Sequence, residues 1–196
     1  MIIDICLGNR TSWKILSVIN EAPGKAITRK EIQQQTKIGN KMLTKFLPLL
    51  EHQGLILNSK LGKTNYYKMN LSNEFTQKIS ELIKAEKANV NNLELYVLNI
   101  LKDFTYELLN KQQENIKKII LFGSYAKRTH SQDSDIDLAI ILKEKNAETE
   151  LLISETKENL EKRYKKEIQT HLITEKEFQQ KNVLNKEIVK DGIRIF

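Results

Sequence analysis

The amino-acid sequence predicts an α+β protein with two domains, a small basic domain followed by a larger neutral one. Residues 1–70 contain 11 Lys and Arg against 4 Asp and Glu, whereas residues 71–196 contain 21 of each, so the whole net charge of +7 lies in the first third. Helical periodicity dominates the first half, and buried strand-like runs follow in the second. A charge excess confined to one segment is typical of a polyanion-binding module joined to a neutral one.

The composition excludes several classes of protein. Of the 196 residues, 40% are hydrophobic and 29% are charged, which is the balance of a folded chain rather than a disordered one. No apolar stretch approaches the ~20 residues that a membrane span needs, and the first residues do not resemble a signal peptide. The single cysteine, Cys6, excludes an internal disulfide and favours the cytoplasm, where we expect it to be a buried small hydrophobe.

Three short helices are predicted near the N-terminus. In the segment SWKILSVINEA apolar residues recur at helical spacing, and Pro23-Gly24 should end this helix. Thr28 and Glu31 have the spacing of a capping box at the start of a second helix. A third helix, which closes at Gly54, presents one apolar face that consists of Leu43, Leu47 and Leu50.

A basic hairpin completes this region. The segment LILNSKLGKTNYYKMN predicts two short strands around a tip that contains a glycine and two lysines. Three helices and a basic hairpin resemble the winged helix-turn-helix family over roughly residues 11–70. The resemblance implies that the third helix enters the major groove of double-stranded DNA and that the hairpin contacts the phosphate backbone or the minor groove. The residues that it implies as DNA-binding are Lys41, Thr44, Lys45, Lys60 and Lys63.

One feature of the third helix departs from that family. Pro48 lies inside the helix, where it removes a backbone donor and should kink the chain. An alternative function for this domain is therefore dimerisation or protein binding, with its lysines simply solvated. Trp13, Tyr66 and Tyr67 are expected to be core residues rather than groups that stack on bases.

Residues 71–94 are predicted as a helical linker, and a longer helix follows. Two helices are expected over residues 72–88 and 92–113, which contain no proline or glycine. The second has apolar residues on more than one face, so it needs more than one packing partner. Part of it could pack on the next domain and part on another subunit, which leads us to expect a homodimer.

Two carboxylates and a glycine-serine pair form the candidate site of the second domain. The segment IKKIILFGS predicts a buried strand that ends at Gly123, with Ser124 opening a short helix whose N–H groups can attract an anion. The strand DIDLAIIL places Asp135 and Asp137 on one face, with their Cα atoms roughly 6.5–7 Å apart. Carboxylates that close repel unless a cation such as Mg²⁺ lies between them.

These residues resemble the signature of the minimal nucleotidyltransferases, members of the DNA polymerase beta superfamily, over about residues 95–196. The motif is Gly123-Ser124 followed by Ser134-Asp135-Ile136-Asp137-Leu138. The resemblance implies a mixed sheet with flanking helices and a nucleoside triphosphate, expected to be ATP, held at Gly123, Ser124 and Ser134. It implies that Asp135 and Asp137 are catalytic and hold two Mg²⁺ ions. The simpler alternative is a solvated pair of aspartates at a strand end.

The chain departs from the family pattern at two places. Many members have glycine where Arg128 stands. A third carboxylate, expected on the later strand KEIQTHLIT, falls near Gln169, and Glu167 lies only at the edge of that strand. His171 follows on the same face, where it could serve as a ligand or base, or simply line the cleft.

Two functions follow from these observations. The first is Mg²⁺-dependent transfer of a nucleoside monophosphate, expected to be AMP, to a hydroxyl group. By resemblance such a protein could be an antitoxin that modifies a HEPN-type toxin and autoregulates its operon through the DNA-binding domain. The second is a transcription regulator whose nucleotidyltransferase domain binds nucleotide without efficient catalysis. The intact motif favours the first function, and the missing carboxylate favours the second.

Overall fold

The structure, a computed structural model, describes residues 9–22 and 26–196, and the chain divides into two compact units between Asn99 and Ile100. Cys6 and the Pro23-Gly24 turn lie outside the described residues, so what the sequence predicts for them stays a prediction. No described helix combines the length and the apolar composition that are needed to cross a lipid bilayer.

The first unit contains the predicted helices and hairpin. Its first six elements are α1 (Arg10–Asn20), β1 (Ile27–Thr28), α2 (Arg29–Thr36), α3 (Asn40–His52), β2 (Ile56–Leu61) and β3 (Thr64–Met69). Strand β3 lies between β1 and β2 and runs antiparallel to both. The short strand β1 is the one element of this group that the sequence did not indicate.

The capping box predicted at the start of α2 is confirmed. The Thr28 N–H donates to the Glu31 carboxylate over 2.6 Å, and the Glu31 N–H donates to the Thr28 hydroxyl over 3.3 Å. These hydrogen bonds from Thr28 favour the charged carboxylate and hold the pKa of Glu31 below its ordinary value. Helix α2 ends at Lys37, whose left-handed φ of 55° turns the chain toward α3.

Helix α3 runs from Asn40 to His52 without a break at Pro48, which lies on its exposed side. The opposite side buries Leu43, Leu47 and Leu50 in the core, as the sequence predicts. Because a proline lacks its N–H, the helix loses one backbone hydrogen bond there, yet the buried face continues past this position.

Helix α4 (Glu74–Asn89) packs on the core of the first unit, although its residues are predicted as a linker. Ile83 of α4 belongs to the same hydrophobic cluster as Trp13 and Tyr67, two residues that the sequence predicts in the core. The Trp13 indole Nε1 donates to Glu86 Oε2 over 3.0 Å. The Ser80 hydroxyl donates to Asn20 Oδ1 over 2.6 Å. Residues of the predicted linker thus form part of the first unit.

Helix α5 (Leu95–Gln112) contains the division between the two units. Its apolar side chains on more than one face are buried within the single chain, among them Val97, Leu98, Leu101, Phe104 and Leu108. These apolar side chains are therefore buried without a second protein subunit. The homodimer stays a prediction, which sedimentation at high micromolar concentration tests.

The second unit is a mixed four-stranded sheet with flanking helices, as the sequence predicts. Its elements after α5 are β4 (Ile116–Phe122), α6 (Gly123–Lys127), β5 (Ile136–Leu142), α7 (Ala147–Tyr164), β6 (Ile168–Thr174), α8 (Glu175–Phe178), α9 (Val183–Asp191) and β7 (Ile193–Arg194). The strand order is β6-β5-β4-β7, with β5 and β6 parallel and the other pairs antiparallel.

Strand register places the candidate site on one face of this sheet. Phe122 pairs with Asp137, and Asp137 pairs with Gln169, so the three side chains share a face. Further along the same face lies a hydrophobic cluster that contains Ile188 of α9, with Phe178 of α8 packed against it. Helices α8 and α9 therefore cover part of the face, and Asp137 lies half-buried at its end.

Candidate functional site

Gly123 and Asp137 are in direct contact at the end of the central strands. Gly123 follows the last residue of β4 and has a left-handed φ of +68°. A Cβ atom at this position would overlap Asp137 Oδ2 and would lie 2.9 Å from Asp137 Cγ, closer than real Cβ atoms approach a neighbour. The backbone conformation and the adjacent carboxylate therefore each require glycine here.

Asp135 lies directly before β5, on the face of Asp137 by the alternation of a strand. Its Oδ2 accepts a 2.7 Å hydrogen bond from Gln169 Nε2. The residue at the predicted position of the third carboxylate is thus an amide that donates to the pair. Among the described residues, no third His, Cys, Asp or Glu joins these two aspartates in a group that could hold a metal ion.

The surroundings of Asp137 disfavour its charged form. Burial is the largest cause that raises the pKa of Asp137 above its ordinary value; the nearby His171 opposes the rise, and the carboxylates of Asp135 and Glu187 add to it. Glu187 on α9 also forms an ion pair with Lys127 of α6. No sequence pattern links Glu187 to the motif, so the sequence analysis missed it.

His171 lies two residues beyond Gln169, on the same face of β6. Its ring packs edge-on against Phe122, with the two centroids 5.2 Å apart. The imidazole is half-buried and close enough to Asp137 to oppose the rise in the pKa of that carboxyl. The structure therefore places His171 beside the carboxylate pair, as the same-face prediction requires.

The loop between α6 and β5 is held by its own hydrogen bonds. The Ser134 hydroxyl accepts a 2.8 Å hydrogen bond from the Ser131 N–H, so this predicted nucleotide-binding side chain closes the loop. Ser124 is half-buried in α6, and its carbonyl accepts from the Thr129 N–H over 2.9 Å. Arg128 has a left-handed φ of 59°, a conformation that glycine adopts at lower cost.

The same loop contacts Lys166, which precedes β6, and its His130 packs on Tyr125 of α6. Lys166 Nζ donates to the Gln132 carbonyl over 2.6 Å and lies 5.4 Å from the centroid of the Tyr125 ring. The His130 ring stacks on the same Tyr125 ring, with the two centroids 4.1 Å apart. These contacts position the chain that enters Asp135.

The donor set fits a divalent cation that arrives with a nucleotide. Asp135 and Asp137 offer carboxylate oxygens, and Mg²⁺ in nucleotide sites takes its remaining ligands from phosphates and water. The lack of a side chain at Gly123 lets the Asp137 carboxylate lie against the backbone at the turn where a phosphate group would bind. Two carboxylates without a third offer fewer ligand oxygens than the implied site for two Mg²⁺ ions would use.

The predicted DNA-binding side chains lie on the surface of the first unit. Lys41, Thr44 and Lys45 are exposed on α3, and Lys60 and Lys63 are exposed at the hairpin turn. Gly62 beside them has φ +60°, which permits the tight two-residue turn.

Arg29 is a surface residue that the sequence analysis missed. Its guanidinium Nη2 donates to the Thr44 hydroxyl over 2.6 Å and to the Asn40 carbonyl over 2.7 Å. Arg29 thereby ties the start of α2 to the start of α3 and adds a cation beside the predicted contact residues. The sequence could show only that a basic residue follows the helix cap Thr28.

Comparison with known proteins finds a family match in the second half of the chain. Residues 105–196 match the family model described as "Polymerase beta, Nucleotidyltransferase". This match covers the glycine-serine pair, both aspartates and the later strand. Residues 105–196 are therefore similar to this family in sequence, in agreement with the resemblance of the motifs.

Two proteins of Methanocaldococcus jannaschii are similar to part of the chain, and both are provisionally named protein adenylyltransferases. One is 49% identical over 41 residues, which is 21% of this chain and 41% of the relative. The other is 33% identical over 48 residues, which is 24% of this chain and 48% of the relative. The chain thus spans less than half the length of the curated relatives that it matches.

Two crystal structures of toxin–antitoxin complexes show a weaker likeness. One, described as a toxin-antitoxin with AMP-PNP, has 22% identity and a TM-score of 0.36 over 47% of this chain and 70% of the other. A mutant of the MntA–HpeT toxin–antitoxin has 20% identity and a TM-score of 0.35 over 47% and 69%. The likeness is too low to indicate a partner for this chain.

Proposed function

We propose that the second unit binds a nucleoside triphosphate with Mg²⁺ and transfers the nucleoside monophosphate, AMP from ATP, to a hydroxyl acceptor. The observation that carries this proposal is the contact of Asp137 with Gly123, beside Ser124 and on the face of Asp135. It brings a backbone that can approach phosphates next to two carboxylates that can hold a cation. The family match over residues 105–196 supports the same function.

Each residue of the site has a separate task in this proposal. The backbone at Gly123 and the hydroxyl of Ser124 would bind phosphate oxygens, and Asp135 and Asp137 would hold Mg²⁺. The bound cation would neutralise charge that develops on the phosphates and the leaving pyrophosphate. Gln169, through its hydrogen bond to Asp135, orients that carboxylate before a ligand arrives.

The acceptor that we propose is a protein hydroxyl. The names of the two archaeal relatives, protein adenylyltransferase, favour this class of acceptor. A specific form of the proposal is an antitoxin that modifies a HEPN-type toxin and autoregulates its own operon. A gene for such a toxin beside the gene for this chain would support that form.

A second candidate function is nucleotide binding without efficient transfer, as in a nucleotide-sensing regulator. The hydrogen bond from the Gln169 amide to Asp135 favours it, because an amide replaces the carboxylate expected near the attacking hydroxyl. Without that carboxylate, the acceptor oxygen lacks one group that would help to deprotonate and align it.

Transfer from α-labelled ATP separates the two candidates. We expect slow labelling of the chain itself or of a co-expressed neighbour, no labelling by Asp135→Asn, and faster labelling by Gln169→Asp. The matched control is Gln179→Asp, which makes the same change at an exposed position outside the site. Rapid labelling by the wild type that Gln169→Asp does not improve would show that a third carboxylate is not what limits transfer.

We also propose that the first unit is a winged helix-turn-helix domain that binds duplex DNA. The net charge of +7 within residues 1–70 and the exposed lysines of α3 and the hairpin support this proposal. Arg29 adds a fixed cation to the same surface through its hydrogen bonds to Thr44 and Asn40. The resemblance of the three helices and the hairpin to that family supports it further.

Salt dependence tests the DNA proposal. The Lys41→Ala, Lys45→Ala double variant should bind duplex DNA more weakly and reduce the slope of log K against log salt by about 1–2, since each lost phosphate contact removes roughly 0.9. Lys176→Ala, Lys181→Ala, with the same charge change on the exposed surface of the second unit, should leave the slope unchanged. Binding that persists in high salt and resists both double changes would contradict DNA binding through α3.

A further inference from the structure

The first unit contains a groove of about 490 Å³, within the range of about 300–1,000 Å³ for small-molecule sites. Its walls come from the end of α1, from the hairpin strands and the turn after them, and from α4. Residues that line it include Asn20, Leu57, Lys68, Met69, Ser72 and Lys84. None of the carboxylate-site residues and none of the predicted DNA-binding lysines lines it.

The groove is positively charged. Lys68 of β3 and Lys84 of α4 line it, and no Asp or Glu does. The acidic residues that neighbour its walls in sequence are paired with other lysines. Glu21 forms an ion pair with Lys87 at 2.6 Å, and Glu81 forms one with Lys78 at 3.2 Å. Lys68 and Lys84 form no ion pair with any residue that the structure describes.

A hydrogen-bond donor is fixed in the same wall. Asn20 Oδ1 accepts the Ser80 hydroxyl over 2.6 Å, which sets the orientation of the amide. The amide nitrogen of Asn20 then remains as a donor that pairs with no described residue. Leu57, the cross-strand partner of Lys68, is 42% exposed, and Met69 is half-buried, so the lining of the groove is also partly apolar.

We propose that this groove binds a small organic anion with an apolar body. Lys68 and Lys84 would hold the anionic group, the Asn20 amide would donate to it, and the apolar body would contact Leu57 and Met69. A bound anion would connect the hairpin strand that carries Lys68 to α4. The inference stands on the charges and shape of the groove and does not depend on the functions proposed above.

Titration of the full chain with 8-anilinonaphthalene-1-sulfonate tests this site, because the probe joins a sulfonate to an aromatic body. We expect saturable binding at one site, and an affinity about tenfold lower in the Lys68→Ala, Lys84→Ala double variant. Leu57→Asn, which changes no charge, should also weaken binding. The control is Lys176→Ala, Lys181→Ala, with the same charge change outside the groove, and it should bind as the wild type does.

Three results would overturn the proposal. They are the absence of saturable binding, an unchanged affinity in the Lys68→Ala, Lys84→Ala variant, and an equal loss of affinity in the control pair. The last would mean that net charge rather than the groove attracts the probe. Thermal unfolding of each variant verifies that the exposed substitutions leave the fold intact, and inorganic phosphate as competitor shows how much of the affinity the anionic group alone provides.

Discussion

Gly123→Ala is expected to lower the free energy of unfolding of the second unit by about 2–5 kcal/mol and to abolish nucleotide binding. A left-handed backbone costs a non-glycine residue about 1–2 kcal/mol, and overpacking adds about 1–3 kcal/mol. Gly123 meets both conditions, with φ +68° and Asp137 Cγ within 2.9 Å of the added Cβ. Relief of that overlap must move Asp137, the residue that the proposed cation requires.

Gly62→Ala is the matched control for the backbone cost. Gly62 has φ +60° at the hairpin turn, and an added Cβ there would meet nothing within 4 Å. Its loss of stability, followed by chemical denaturation, should therefore be limited to about 1–2 kcal/mol. The loss of stability in Gly123→Ala beyond that in Gly62→Ala measures the overlap with Asp137. This additional loss should be smaller in the Gly123→Ala, Asp137→Ala double variant. Equal losses at Gly62 and Gly123 would contradict the contact between Gly123 and Asp137.

Asp137→Asn is expected to have opposite effects on stability and on ligand binding. Burial, aided by Asp135 and Glu187, raises the pKa of Asp137, so the folded apo protein holds an unfavourable charge at neutral pH. Removal of that charge should raise the melting temperature at pH 7. The same change removes half of the carboxylate pair, and binding of ATP with Mg²⁺ should fall to an undetectable level.

The difference in stability between Asp137→Asn and the wild type should depend on pH in a definite direction. A carboxyl whose pKa is raised by folding adds stability below its unfolded pKa of about 3.9 and loses that contribution as pH rises through the folded pKa. The advantage of Asp137→Asn should thus be absent at low pH and appear as pH approaches neutrality. Asp133→Asn, in the exposed loop before β5, should show no such change. A melting temperature at pH 7 that falls in Asp137→Asn would contradict an unfavourable charge at this position.

The sequence predicts those parts of the site that lie within one strand or one turn. Alternation along β5 places Asp135 and Asp137 on one face, and the end of the apolar run before Gly123 marks the end of β4. The structure agrees on both. The pairing of Phe122 with Asp137 then brings the two motifs together, which neither motif alone could show.

Features that depend on register or packing were not predictable from the sequence. The hydrogen bond from Gln169 to Asp135 depends on how β6 is aligned with β5, and the effect of Glu187 on Asp137 depends on where α9 packs. The role of α4 in the first unit was missed for a related reason. Its buried side includes Thr76, Ser80 and Glu86, so polarity suggested a solvated linker.

Calorimetric titration of the chain with ATP, with and without Mg²⁺, tests most directly whether the glycine-serine turn and the carboxylate pair form a nucleotide site. The proposed site predicts saturable binding of about one ATP per chain that requires Mg²⁺ and is lost in Asp135→Asn, with Asp133→Asn as the unchanged control. Absence of binding in the wild type, or equal binding in Asp135→Asn and in the wild type, would contradict a nucleotide site at Gly123, Ser124, Asp135 and Asp137.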